Sequence, residues 1–173
     1  MKRPHQVFLV VAAMFLLAGC VLKSPAPAFG DSQGALALAE MGKSFNLESF
    51  TSGAWKVEEK AIFTPEGNHY VMSSPEGKTP VEVLMVPIDG KRFVVQARED
   101  KNKPFTYLIA VMGKDEVLVN LIGCDDLKKM GTVSEDISFD GGNCGFAKTP
   151  DLALFAKIAD AAGPAKARLT PAP

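Results

Sequence analysis

Between Gly53 and Gly123 the chain is a succession of short β-rich runs separated by turn residues, and this punctuation limits the fold more than any other feature. "WKVEEKAIF" is closed by Thr64-Pro65-Glu66-Gly67, "NHYVMS" by Ser74-Pro75-Glu76-Gly77 and "VEVLMVPI" by Asp89-Gly90, with "KRFVVQARE", "PFTYLIAVM" and "EVLVNLIG" following. Asp-Gly between two β-rich runs is a strong hairpin signal, because both central positions of the favoured turn take positive φ. Five or six strands joined this tightly pair with their sequence neighbours and form an antiparallel meander.

Facing adds a second constraint. In "PFTYLIAVM", Phe105, Tyr107, Ile109 and Val111 fall on one side and Leu108, Ala110 and Met112 on the other, and "VEVLMVPI" is likewise apolar on both sides. A sheet wet on one face alternates, so these strands are covered twice, by sheet curvature or by helices. The C-terminus supplies a cover: Thr149 before Pro150 and Asp151 reads as a helix start, Leu152, Phe155, Ala159 and Ala162 recur at helical spacing, and Gly163-Pro164 reads as a stop. Upstream, Ser32 as a cap with Leu36, Ala39, Met41 and Phe45 predicts a short N-terminal helix. The expected fold is therefore α+β, a strongly curved antiparallel five- to six-stranded meander covered by a C-terminal helix. A chain of 173 residues has room for one such domain, placed at 35–163, with 164–173 as a disordered tail.

The N-terminus reads as an address. Lys2 and Arg3 precede an apolar core from Val7 to Leu17, which is the layout of a secretory signal over residues 1–19, since a membrane span needs about 20 apolar residues. Leu17-Ala18-Gly19-Cys20 resembles the lipobox of bacterial lipoproteins. That resemblance implies cleavage before Cys20, a diacylglycerol on its sulfur, an acylated amino terminus and hence membrane attachment. With Val21 rather than Asp after the cysteine, it also implies the outer membrane, facing the periplasm. The alternative is an ordinary signal cleaved at Ala28-Phe29-Gly30, but the apolar core ends at Cys20. Residues 20–34 then form the lipidated cysteine and a flexible tether rich in Pro, Ala, Ser and Gly.

With Cys20 assigned to lipid, Cys124 and Cys144 remain, and an exported compartment favours their pairing as a disulfide. A reactive thiol pair, the other reading, wants Cys-x-x-Cys spacing or a nearby cation. Asp125, Asp126, Glu135, Asp136 and Asp140 gather around the same loop. They suit either a hard cation or a solvated loop, and their spacing departs from the EF-hand pattern, so no metal is expected. His5 lies in the signal, leaving His69 as the one imidazole of the remaining chain. Ser-His, Cys-His and His-rich metal chemistry are therefore short of parts, and the sequence predicts no catalytic residue, no cofactor and no enzyme. From Cys20 onward 17 basic residues face 20 acidic ones, a net of −3 that argues against nucleic acid. Lys78, Lys101 and Lys103 read as solvated turn lysines.

Three further resemblances bear on function. Gly53-Ala54-Trp55 resembles the G-x-W signature of lipocalins, whose eight-stranded barrels hold small apolar ligands. The strand-rich stretch is short for eight strands, which leaves a half-barrel carrier or simply a Trp that begins a core strand. "LIGCDDL", "CGFA" and "TPDLALFAKIADA", with the meander, resemble small uncharacterised bacterial envelope proteins over residues 53–162. Size, anchor and a disulfide-braced β-domain also resemble lipoprotein inhibitors of host lysozymes. The leading expectation is a non-enzymatic, lipid-anchored periplasmic envelope protein that binds an envelope protein or plays a structural role. A carrier of a small apolar ligand and a lysozyme-inhibitor-like lipoprotein are the alternatives.

Overall fold

The computed structural model describes residues 21–173 apart from Ser134 and the side chain of Thr132, so the segment read as a signal and Cys20 lie outside the described residues. Its elements are β1 (Lys23–Ser24), β2 (Ser44–Thr51), β3 (Ala54–Glu66), β4 (His69–Ser73), β5 (Val81–Pro87), β6 (Arg92–Arg98), β7 (Phe105–Met112), β8 (Val117–Leu121), α1 (Cys124–Lys129), β9 (Ile137–Asp140), β10 (Asn143–Phe146), α2 (Leu152–Asp160) and β11 (Ala167–Pro171).

The expected α+β meander is corrected to a closed antiparallel barrel of eight strands. β2 to β8 pair each with the next, β8 pairs with β11, and β11 returns to β2. β1 adds a ninth strand along the start of β7, with Lys23 opposite Thr106, and β9 and β10 form a separate hairpin. The two strands that close the barrel are the two the sequence concealed. Residues 44–51, whose Phe45 reads as the last apolar position of a helix, are extended, because Phe45 and Leu47 point into the lumen on every second residue. Residues 167–171, read as a tail, place Ala167 and Leu169 in the buried interior while Arg168 and Thr170 face outward.

β2 and β3 are joined by Ser52–Gly53, with φ of 54° and 79°, the two left-handed positions a two-residue hairpin requires. Asp89-Gly90 does turn the chain, but Gly90 is not left-handed. The Asp89 carboxylate organises that loop instead, accepting from the Lys91 and Arg92 amides at 2.9 and 2.8 Å. Those amide donors, and then the Arg92 side chain, hold its pKa down to about 2.

Both faces of β5, β6 and β7 are buried. Val83, Met85, Phe93, Val95, Leu108 and Ala110 line the lumen with Phe45, Phe63 and Tyr70. Phe45 is 0% exposed and Ala110 and Val117 are 1% exposed, so side chains fill the lumen, as eight strands allow. Leu84, Val86, Val94, Phe105, Tyr107 and Ile109 face outward beneath a second core supplied by α1, α2, β9, β10 and residues 22–29. α2 is capped by Asp151 and not by Thr149, the Asp151 carboxylate accepting from the Leu154 amide at 2.8 Å. Phe155, 0% exposed, packs its ring 5.5 Å from Phe29, 5.7 Å from Tyr107 and 5.8 Å from Phe146, so the C-terminal helix covers the barrel's outer wall and does not plug it.

The stretch read as a tether is bound to this wall. Gln96 accepts from the Ala28 and Phe29 amides at 2.8 and 3.1 Å and donates to the Phe29 carbonyl at 3.1 Å. The stretch read as an N-terminal helix holds only a three-residue 3₁₀ turn at Asp31–Gln33. The chain then crosses one end of the barrel, where the Ala35 amide bonds the Met85 carbonyl at 2.8 Å and Leu38, 1% exposed, joins the lumen cluster. Gly34 is required for this approach, since a Cβ there would run into the Asn68 carbonyl oxygen and Leu84 Cδ1.

Candidate functional site

The second core leaves the outer faces of β2, β3 and β11 uncovered, and there the sequence sets apolar groups toward water. Phe50 is 45% and Val57 59% exposed, and Trp55 between them is half-buried. The Ser52–Gly53 turn makes Phe50 and Trp55 direct cross-strand partners, with ring centroids 5.2 Å apart at 61°. A bulge after Leu47 pairs Val57 with Glu48, so Val57 shares the outward face with Phe50 and Trp55.

Arg168 completes the patch. Its guanidinium carbon sits 4.5 Å from the Trp55 ring centroid, a cation–π contact. Its Nε and Nη2 donate to Glu48 Oε2 at 3.1 and 2.8 Å, and its Nη1 donates to Glu116 Oε2 at 3.0 Å. Thr170 Oγ1 donates to Glu48 Oε1 at 2.6 Å. The Thr170 hydroxyl, and then Arg168, hold the Glu48 carboxyl below the usual carboxylate range against its burial, which pushes it up. The bond from Glu48 in turn raises Arg168. Three strands thus fix a flat guanidinium over a flat indole, leaving few rotamers to lose on contact with another surface.

The lipocalin-like Trp55 accordingly faces out of the barrel and not into a ligand cavity. A different polar set sits at the lumen mouth. Glu59, 7% exposed and opposite Leu47, is paired with Lys78 from the β4–β5 loop, and Ser49 donates to Glu58. Lys78 is therefore half-buried and compensates a buried carboxylate, which corrects its reading as a solvated lysine, while Lys101 and Lys103 are exposed.

The other candidates stand as follows. Cys124 and Cys144 are brought together with sulfurs 2.10 Å apart and Cα atoms 5.5 Å apart. Asp125 and Asp126 lie 3.8 Å from Lys128 and Lys129, and Asp136 lies 2.8 Å from Lys148. Among the described residues no group of three or more His, Cys, Asp or Glu is arranged to hold a metal ion. His69 Nδ1 lies 2.7 Å from Asp31 Oδ1, tying the 3₁₀ turn to β4. A cleft of about 290 Å³ opens beside β1, lined in part by Val21, Lys23, Asp140 and Asn143. A second, of about 550 Å³, lies between Lys148, Asp151, Lys157 and the Glu135–Asp136 pair.

Sequence reasoning singled out Trp55 but missed Phe50, Val57 and Arg168. The signal available was the Ser52-Gly53 dipeptide, which as a hairpin turn sets Phe50 across from Trp55. No family model, no curated protein and no solved structure matches the chain.

Proposed function

We propose that this is a lipid-anchored envelope protein of the outer membrane, facing the periplasm, that works by binding a protein partner and not by catalysis. The contact surface is the patch of Phe50, Trp55, Val57 and Arg168. The observation that supports the reading is the exposure of Phe50 and Val57 on either side of a half-buried Trp55 clamped under an arginine, on a sheet face outside the second core. Trp and Arg are the residue types that dominate binding energy in protein interfaces, and a rigid, partly buried aromatic loses little entropy on docking. The lipobox-like Cys20 supports the location. A filled lumen, with Phe45 and Leu38 at 0% and 1% exposure, weighs against the carrier reading.

The test is a photo-reactive residue at Val57 in the full-length protein in native envelopes. A discrete adduct with one envelope protein is expected, and Trp55→Ala should abolish it by weakening the contact about 30-fold, the equivalent of about 2 kcal/mol. The same probe at Lys60, further along the strand, should yield less. An adduct indifferent to Trp55→Ala and Arg168→Ala would show that the patch is not the contact surface.

A further inference from the structure

We infer that the barrel has no leash: the anchor at Cys20 holds the disulfide-braced side of the domain directly against the bilayer. This rests on the lipidation reading above and adds to it a geometry and a membrane-facing side. Val21 is 3% and Leu22 0% exposed, so the chain is buried from the first residue after the cysteine. Val21 bridges to Gly123 and Leu22 to Cys144, so the anchor strand lies between the backbones that flank both half-cystines. The Leu22 amide donates to the Ile122 carbonyl at 3.0 Å, and the Tyr107 amide donates to the Leu22 carbonyl at 3.2 Å. Beyond β1, Gln96 fastens Ala28 and Phe29, so the strand is held at both ends.

The consequence is one of reach. An extended tether over residues 21–34 would let the domain stand off by up to about 50 Å, whereas one peptide unit places the Cα of Cys20 about 3.8 Å from that of Val21. The lipid therefore sets orientation as well as location, with Gly123, Asn143 and the cleft beside β1 turned toward the headgroups. Lys23 and Asp140 line that cleft with opposite charges, so the acyl chains and not the headgroup charge hold this side down.

The test uses the full lipidated protein in vesicles of its native lipids, treated with proteinase K under folding conditions, with the supernatant read by mass spectrometry. A flexible tether is the preferred cutting site of a folded domain, so a comparison variant carries about 16 Gly/Ser residues inserted between Cys20 and Val21. That variant should release the intact domain, while the natural protein releases less than about a tenth as much in the same time. Leu22→Asp, which forces a carboxylate into a fully buried slot, should convert the natural pattern to release, and the insertion keeps the comparison decisive if that variant fails to fold. Release of a soluble domain beginning within residues 21–34, as fast as from the insertion variant, overturns the inference. A mature chain without acyl mass overturns the lipidation reading, and this inference with it, before any protease is added.

Discussion

The chain has two tyrosines, Tyr70 and Tyr107, exposed 2% and 0%, and each holds down the N-terminal segment. Tyr70 accepts from the Leu38 amide at 3.0 Å, and Tyr107 accepts from the Ala28 amide at 3.0 Å and donates to the Ala26 carbonyl at 3.3 Å. Burial pushes both phenols up, outweighing the hydrogen bonds they accept, and Tyr107 reaches about 12. A phenol whose pKa is higher in the folded chain than its unfolded value of about 10 holds its proton more tightly when folded. Its contribution to stability is complete below pH 10 and is lost as the pH rises through 12. Two units at about 1.4 kcal/mol each make the loss about 3 kcal/mol for Tyr107 alone. Against a total stability of about 5–15 kcal/mol, that is between about a fifth and about three-fifths of the whole.

The assay is ultraviolet absorbance of tyrosinate recorded together with far-ultraviolet circular dichroism as the pH is raised. No tyrosinate is expected near pH 10 while the sheet signal is intact. Tyr107→Phe should cost about 1 kcal/mol at neutral pH, because the Ala28 amide keeps its bond to Gln96 at 2.8 Å and is not orphaned. Above pH 10 the variant should lose stability less steeply than the natural protein, by up to one proton. Lysines titrate in the same range but are common to both proteins, so the difference isolates Tyr107. One equivalent of phenolate forming near pH 10 with the sheet signal intact would refute the reasoning, as would equal slopes for the two proteins.

Two further perturbations probe the outer core. Phe155→Ala empties the centre of the cluster shared with Phe29, Tyr107 and Phe146 and should cost about 3–5 kcal/mol in urea denaturation, a value below 1 kcal/mol being incompatible with the packing described. Replacing Cys124 and Cys144 together by Ser opens a loop with a sequence separation of 20 and should cost about 3 kcal/mol on the chain-entropy account, with the amides of residues 21–24 exchanging first because their bridges run to Gly123 and Cys144.

Strands β3 to β8 were legible in the sequence because β-rich runs there alternate with Gly and Pro turns, and the two-sided burial of β7 was legible because both of its faces are apolar. β2 was not. "SFNLESFT" offers only Phe45 and Leu47 to the lumen, and of the helically spaced Leu36, Ala39 and Met41 just before it only Met41 packs on the lumen cluster, the other contacts there coming from Ala35, Ala37 and Leu38 while Leu36 and Ala39 are exposed. β11 was concealed by prolines, yet Pro171 sits at the last position of its strand, where a missing amide costs least. The patch was half legible: Trp55 stands out, but the Arg168 contact joins residues 113 apart in sequence, and only closure of the barrel brings β11 beside β2. The tether was misread because Pro, Ala, Ser and Gly report low intrinsic order, whereas order here comes from Gln96 and Tyr107, 67 to 81 residues away.

Those misreadings share a physical cause. Covering β5, β6 and β7 twice takes more chain than any stretch between residues 35 and 163 contains. The inner cover needs β11, since without Ala167 and Leu169 the lumen opens and β2 and β8 are left with unpaired edges. The outer cover needs Leu22 and Phe29, since without them Phe155 loses a ring partner at 5.5 Å and the Tyr107 amide loses its acceptor. The two termini of the domain thus serve different covers, the first bound to the outer wall at β6 and β7 and the last closing the seam between β2 and β8. A strain applied at Val21 acts on the backbone beside the disulfide, and the same segment continues through Gln96 to Leu38 in the lumen. The anchor point, the outer core and the barrel's end cap are therefore one continuous element, which is why a stretch that reads as a spacer is the part of the chain that joins the two cores.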